Sequence, residues 1–337
     1  MSNKTNSLRT VSIVGTGAYL PEKVVTNDDL AKIVDTTDEW IYTRTGMRER
    51  RIAREDQATS DLASEAAKVA LADAGISADE VDLLIVATLS PDMFFPSTAC
   101  FVQENIGAKN AYCYDLGAAC SGSLYAIETA KNQIACGAIE TALVIGAEKM
   151  STFIDWEDRG TCVLFGDGAG AVVLKATGAE RGIMNGVFGS DGSLANLLWT
   201  PGGGSRNPIS QEVIDQKDQY LKMQGRDVYK HAVKQMTAST VEVLENNGLT
   251  SDDITCFVAH QANARIIDAI GSRLNVQDRM FKNVEKYANT SAAALLIAVD
   301  EVAKSGAIQV GDLMLLVAFG GGFTWGATVV EWTIGRE

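Results

Sequence analysis

Cys120 stands in the run Asp115-Leu-Gly-Ala-Ala-Cys120-Ser-Gly-Ser-Leu-Tyr125, where a strand-like segment gives way to small residues and then to a helical pattern. That order places a thiol at or near a helix N-terminus. Unpaired backbone N–H groups and the positive end of the macrodipole favour an anion there, so a lowered thiol pKa and a nucleophile are expected. A small, inert cysteine packed where a helix meets a sheet is the competing reading. A nucleophilic cysteine needs a proton-accepting or hydrogen-bonding partner, and the sequence holds two histidines. His260 ends the apolar run Thr255-Cys-Phe-Val-Ala259, at the C-terminal end of an expected strand, where α/β proteins place ligands. His231 lies inside a helical pattern and reads as structural or surface. In Phe319-Gly320-Gly321-Gly322-Phe323-Thr-Trp325-Gly326, three glycines let the backbone approach a ligand and aim N–H groups at a developing oxyanion. A glycine-rich hairpin is the alternative there, and Gly202 to Gly204 reads as a surface loop.

The elements that position these residues repeat. Residues 66–87 and 239–260 share one pattern: a helix ending at Gly75 or Gly248, an acidic turn with Asp79 or Asp252, then an apolar run suited to a buried strand. These units are offset by 173 residues (Gly75 to Gly248), and a second pair of helix starts, at Cys120 and Asn289, by 169. Two units in the same order at nearly the same offset suggest a duplicated α/β half, with chance likeness of amphipathic segments as the alternative. Duplication predicts halves 1–178 and 179–337 and a shared central site reached by both Cys120 and Asn289. Apolar runs at 83–87, 142–145, 169–174, 255–259 and 313–318 predict strands in sheets covered by helices.

Composition excludes several functions. The 337 residues carry a formal net charge of −14, which disfavours non-specific nucleic-acid binding and offers no polybasic segment for a membrane. No window approaches the roughly 18 consecutive apolar residues of a membrane helix, and the polar first ten residues lack a secretory stretch. Six cysteines without CxxC spacing and only two histidines supply no metal site, so reduced thiols in a cytoplasm are expected. Gly15-Thr-Gly17 lacks the third glycine of a dinucleotide fingerprint, and Gly166-Asp-Gly-Ala-Gly170 opens into a strand, so neither supports a nucleotide cofactor.

Several separated motifs, in order, resemble β-ketoacyl-acyl carrier protein synthase III, the initiating condensing enzymes of bacterial fatty acid synthesis. They include Asp38-Glu-Trp40-Ile-Tyr-Thr-Arg44, Phe95-Pro-Ser, Ala118-Ala-Cys120-Ser-Gly122, Asp158-Arg159-Gly-Thr and Phe165-Gly-Asp-Gly-Ala-Gly-Ala171. His260-Gln-Ala-Asn263, Asn289-Thr-Ser-Ala-Ala293 and the Phe319 to Gly326 run complete the set, which spans the chain from about Val11 to Trp332. The resemblance implies the thiolase fold, duplicated α/β halves in a five-layered αβαβα sandwich. It implies that Cys120 takes an acyl group from acyl-coenzyme A, with the Cys120 and Gly321 N–H groups as oxyanion hole. His260 and Asn289 are then the donors to the enolate formed when malonyl-acyl carrier protein loses carbon dioxide. Trp40 and Arg159 match a pair that sandwiches the adenine of coenzyme A; Thr36, Arg44, Gly225 and Asn263 match positions near nucleotide or pantetheine. Phe95, Ser123 and Phe319 match the acyl pocket, Phe95 by reaching across a homodimer. Lys230, Arg265 and Arg273 match a basic patch that docks the carrier protein, with three solvated side chains as the alternative. No cofactor beyond the coenzyme A thioester substrate is implied.

The chain departs from the family pattern at three places: Ser123 where an aromatic residue is usual, Ala259 for a common proline and Ala288 for a common glycine. Other readings compete with decarboxylating condensation. A thiolase-fold acyltransferase or a non-decarboxylating acyl-condensing homologue would keep Cys120 and His260, and Asn289 favours the decarboxylating version. A type III polyketide synthase differs around Glu39-Trp40-Ile41. A silent carrier-binding relative needs no intact trio, and a cysteine hydrolase does not fit the duplicated pattern.

Overall fold

Strands β1 (Val11–Tyr19), β2 (Leu83–Ala87), β3 (Tyr112–Leu116), β4 (Thr141–Glu148) and β5 (Gly168–Ala176) form one sheet in the order β1-β5-β4-β2-β3. The computed structural model describes residues 8–335, so most of the polar N-terminal run read for a leader lies outside the described residues. β2 is Leu-Leu-Ile-Val-Ala, buried throughout, as a central strand covered on both faces must be. A second sheet holds β6 (Val187–Ser190), β7 (Cys256–Ala259), β8 (Leu313–Gly320) and β9 (Thr324–Glu331) in the order β7-β8-β9-β6.

Helices fill the layers around them. α1 (Asp38–Thr45) lies by the second sheet's outer helices; α2 (Thr59–Ala74) and α3 (Thr98–Ile106) cover the outer face of the first sheet. α4 (Gly122–Ala135) and α7 (Ala292–Ser305) run between the sheets, and α5 (Gly225–Asn246), with α6 (Ala264–Leu274) against it, covers the second sheet from outside. The order is therefore helix, sheet, helix, sheet, helix. The alanine-rich face of α2 explains the Gly-Thr-Gly run in β1: a Cβ on Gly17 would meet the Ala70 backbone nitrogen at 2.4 Å, and one on Gly15 the Ala70 carbonyl at 2.6 Å. Those glycines admit a helix rather than a phosphate.

Strand pairing runs antiparallel, antiparallel, parallel from β1 through β5 and β4 to β2, and again from β6 through β9 and β8 to β7. We propose the division into halves 1–178 and 179–337 on that symmetry; the boundary falls between β5 and β6. The residues expected to act lie where central helices begin and strands end. Cys120 is in a 3-10 turn, Ala119–Ser121, leading into α4; Asn289 precedes α7; His260 follows β7; Gly321 follows β8.

Candidate active site

Cys120, His260, Asn289, Phe319 and Gly321 line one cavity of about 890 Å³. Trp40, Arg44, Gly225, Asn263 and Arg265 line the same cavity, with Arg44, Gly225 and Arg265 exposed to solvent while Cys120 and His260 are buried. The cavity is thus a passage from a basic, aromatic mouth to a buried reactive end. Its walls are largely apolar, among them Met150, Val163, Leu198 and Met236.

At the buried end the backbone is strained. Ala119, Ala288 and Ser291 have φ of 44°, 55° and 50°, a region that non-glycine residues avoid at a cost of order 1–3 kcal/mol each. The turn after Ala119 presents the Cys120 N–H beside the end of β8, where a Cβ on Gly320 would stand 2.7 Å from that nitrogen. Only glycine lets β8 approach so closely. Among the described residues, neither the Cys120 nor the Gly321 N–H donates to a backbone carbonyl outside its own element. Asn289 is held by its backbone, its N–H on the Leu164 carbonyl at 2.9 Å and its carbonyl receiving the Gly166 N–H at 3.1 Å. Its Oδ1 accepts the Ser291 N–H at 2.8 Å, which leaves Nδ2 as the available donor.

The electrostatics correct one expectation. Burial pushes the Cys120 thiol up to about 12, against the opposing contact with Ser291, and Glu148 raises it further. Removal of the sulfur from water, with no cation beside it, opposes the lowering expected of a helix start. Burial also pushes His260 down to about 4, so its imidazole is neutral at pH 7. Both its ring nitrogens are buried without a hydrogen-bond partner. Two unpaired polar atoms cost on the order of 1–3 kcal/mol each, a burden that a ligand relieves.

At the mouth, Thr37 caps α1 by accepting the Trp40 N–H at 3.1 Å, and Trp40 and Arg44 share a face one turn apart. The Arg44 guanidinium lies 4.5 Å and that of Arg159 4.8 Å from the indole centroid. A base between Trp40 and Arg159 needs two stacking contacts, about 7 Å. At 4.8 Å the gap between Arg159 and Trp40 is narrower than that. Asn263 caps α6 through Arg265 N–H at 2.8 Å and donates to the Arg44 carbonyl at 3.1 Å, tying α6 to α1.

Thr36, Phe95, Ser123, Arg159, Lys230 and Arg273 are not among the residues that line the cavity. Thr36 is half-buried, Phe95 is 83% exposed while its neighbour Phe94 lines the cavity, and Ser123 is buried in the first turn of α4 with its hydroxyl unpartnered. Lys230 on α5 and Arg265 and Arg273 on α6 are exposed and in no salt bridge among the described residues. Gly202 to Gly204 corrects the surface-loop reading: all three line the cavity, and Gly202 is buried. His231 sits in α5 with its ring 5.7 Å from Phe323, outside the cavity lining.

Residues 114–192 match the family model described as 3-oxoacyl-[acyl-carrier-protein (ACP)] synthase III, and residues 244–332 match its C-terminal counterpart. A protein from Caldanaerobacter subterraneus subsp. tengcongensis named beta-ketoacyl-[acyl-carrier-protein] synthase III is 51% identical over 322 residues, covering 95% of this chain and 97% of its own. The chain belongs to the β-ketoacyl-[acyl-carrier-protein] synthase III family. A relative of the same name from Clostridium acetobutylicum is 49% identical over 97% of this chain and all of its own. The crystal structure of 3-oxoacyl-[acyl-carrier-protein] synthase III from Aquifex aeolicus VF5 matches with a TM-score of 0.88 at 46% identity, covering 96% of this chain and 100% of that one. The priming β-ketosynthase of the R1128 polyketide pathway matches with a TM-score of 0.92 at 33% identity over the whole of both chains. Family membership brings the thiolase fold and condensing acyltransferase chemistry.

Two residues on the hydrogen-bonded line from Cys120 received no role from sequence. Ser291 lines the cavity and its Oγ lies 3.5 Å from Cys120 Sγ; Glu148, 0% exposed, ends β4 and accepts the Ser291 hydroxyl at 3.0 Å. The legible signal was a glutamate at the C-terminal end of the apolar run 142–145, where sheets carry their functional groups.

Proposed function

We propose that the chain starts type II fatty acid synthesis: an acyl group is loaded from acyl-coenzyme A onto Cys120 and condensed with malonyl-acyl carrier protein, with loss of carbon dioxide. The carrying observation is the convergence of a buried thiol, an unpaired neutral imidazole and a free amide donor on one cavity. In the first half-reaction the Cys120 sulfur attacks the thioester carbonyl, and the Cys120 and Gly321 N–H groups hold the oxyanion. In the second, His260 and Asn289 Nδ2 donate to the thioester oxygen as decarboxylation moves charge onto it. Neutral donors in an apolar site favour that developing charge over the ground state. The enolate carbon then attacks acyl-Cys120 and yields β-ketoacyl-acyl carrier protein. The coenzyme A thioester is a substrate, and the scheme calls on no cofactor.

Trp40, Arg44, Arg159, Gly225, Asn263 and Thr36 take the coenzyme A arm at the mouth; Phe319 forms acyl-pocket wall. Lys230, Arg265 and Arg273 form the carrier-protein dock, since an acidic partner of a chain of net charge −14 needs a local basic patch. Met93, Phe94 and Phe95, 47%, 87% and 83% exposed, support a homodimer in which a second copy covers this apolar tip. No helix among the described residues is long and apolar enough to cross a membrane, in keeping with a cytoplasmic enzyme. Intact-mass spectrometry after incubation with acetyl-coenzyme A should show one acetyl group per chain, absent in Cys120→Ala. An unmodified wild-type protein would sink the proposal.

A further inference from the structure

Burial favours the thiol form of Cys120, and a thiol proton has to leave as the sulfur bonds to carbon. His260 does not receive it in this geometry, for neither ring nitrogen has a hydrogen-bond partner. The hydrogen-bonded route from the sulfur runs the other way: Cys120 Sγ donates to Ser291 Oγ at 3.5 Å, and Ser291 Oγ to Glu148 Oε1 at 3.0 Å. Glu148 is an acceptor on every side. It receives the backbone N–H groups of Leu89 at 3.2 Å, Ser90 at 3.1 Å and Ala292 at 3.4 Å, and the hydroxyls of Ser90 at 2.6 Å and Thr88 at 3.2 Å.

Ser90 Oγ accepts the Lys149 N–H at 2.9 Å and Thr88 Oγ1 the Ser90 N–H at 3.1 Å, and each hydroxyl also lies within hydrogen-bond reach of Glu148. As a carboxylate, Glu148 would place a charge among these groups, with Ser90 Oγ at 2.6 Å. No cation compensates that charge: among the described residues no salt bridge reaches Glu148, and Lys149 turns its Nζ to the carbonyls of Arg54, Glu55 and Gln57. The titratable group facing it is the Cys120 thiol; the rest are hydroxyls and N–H groups. A fully buried, uncompensated carboxylate is costly, and burial raises the Glu148 carboxyl above the usual carboxylate range. A single proton removes that cost.

We propose that Glu148, acting through Ser291, takes up the Cys120 thiol proton as the acyl group is loaded and holds it until the sulfur is freed. As the sulfur bonds to the thioester carbonyl carbon, the S–H proton passes to Ser291 Oγ and the Ser291 hydroxyl proton to Glu148 Oε1. The bond from the carbonyl carbon to coenzyme A breaks; coenzyme A leaves as a thiolate and is protonated by water at the cavity mouth. When the new carbon–carbon bond forms and the acyl–sulfur bond breaks, the Cys120 thiolate regains its proton along the same path. The enzyme ends as it began.

This rests on acyl loading at Cys120, so the test uses iodoacetamide, which alkylates the same sulfur without any acyl donor. Alkylation rates from pH 6 to 9 should be shallow in pH for the wild type. In Ser291→Ala they should fall about 10²-fold at neutral pH and climb in proportion to hydroxide, the signature of a missing internal base. Ser291→Ala removes one hydroxyl and leaves the other Glu148 bonds; circular dichroism verifies its fold. Infrared difference spectra of the alkylated wild type should show a new protonated-carboxyl stretch, absent in Glu148→Gln. Ser291→Ala with the wild-type rate and slope, or a wild-type spectrum without the band, overturns the inference. If the band appears but acetyl-coenzyme A leaves no acyl-enzyme, the relay stands and the acyl-loading reading fails.

Discussion

Asn289 Oδ1 accepts the Ser291 N–H at 2.8 Å, which frees the Asn289 Nδ2 donor for the cavity that also holds the two unpaired nitrogens of His260. The donor pair is therefore set before substrate arrives. Asn289→Asp keeps the acceptor for Ser291 but replaces the donor with a charged oxygen facing the developing enolate. Carbon dioxide release from malonyl-acyl carrier protein should fall about 10²–10³-fold, with coenzyme A release in the first half-reaction within severalfold of wild type. Equal losses in both would remove Asn289 from the assigned role.

His260 also ties stability to pH. Its folded pKa is about 4 against 6.5 in the unfolded chain, so the unfolded state binds the extra proton between those values. The contribution is fully present above pH 6.5 and is lost as pH falls towards 4. Between pH 7 and 4.5 the wild type should lose about 2 kcal/mol from this group, a loss missing in His260→Asn. Urea unfolding of both proteins at the two pH values measures the difference; parallel losses would contradict it.

Ala288 carries φ 55° and ψ −156°, and it is 1% exposed. Glycine there relieves strain but loses a buried methyl and adds unfolded-state freedom, so Ala288→Gly should lie within about 1 kcal/mol of wild type. Ala288→Val puts a β-branched residue into the same strained, packed backbone and should cost about 3 kcal/mol or more. Thermal melting separates the two; a benign valine would show that the strain is not enforced.

Arg159 lies over Trp40 at 4.8 Å, in the space that the proposed stacking of an adenine on Trp40 would use. Trp40→Ala removes the stacking platform and should raise KM for acyl-coenzyme A about tenfold with kcat nearly unchanged, the pattern of lost uniform binding. Acyl-pantetheine, which lacks the adenine, should show no such penalty. A KM rise of the same size with acyl-pantetheine would place the effect in folding of α1 instead.

Much of the fold was readable because its signals are local. The buried runs at 83–87 and 313–318 lie within or coincide with strands, and the helix after Cys120 follows from one segment of chain. What escaped depends on neighbours distant in sequence. The thiol pKa turned on burial between two sheets and on Glu148, not on the helix start alone. The Cys120, Ser291 and Glu148 line joins three separate segments, so no motif spells it. Gly202 to Gly204 looked like a surface loop because glycine and proline mark irregular backbone without telling what it faces. Ser123, expected in the acyl pocket, is one residue past a helix start and is not among the residues that line the cavity.

The most direct test of the account is a single-turnover chase. Wild-type enzyme carrying a carbonyl-labelled acetyl group on Cys120 is freed of acyl donor and mixed with malonyl-acyl carrier protein. The account predicts that the label leaves the enzyme as the β-carbonyl of β-ketoacyl-acyl carrier protein, one carbon dioxide appearing per label transferred. Label moving to the carrier protein as a plain acyl group without carbon dioxide, or staying on Cys120 while malonyl-acyl carrier protein decarboxylates, would contradict it.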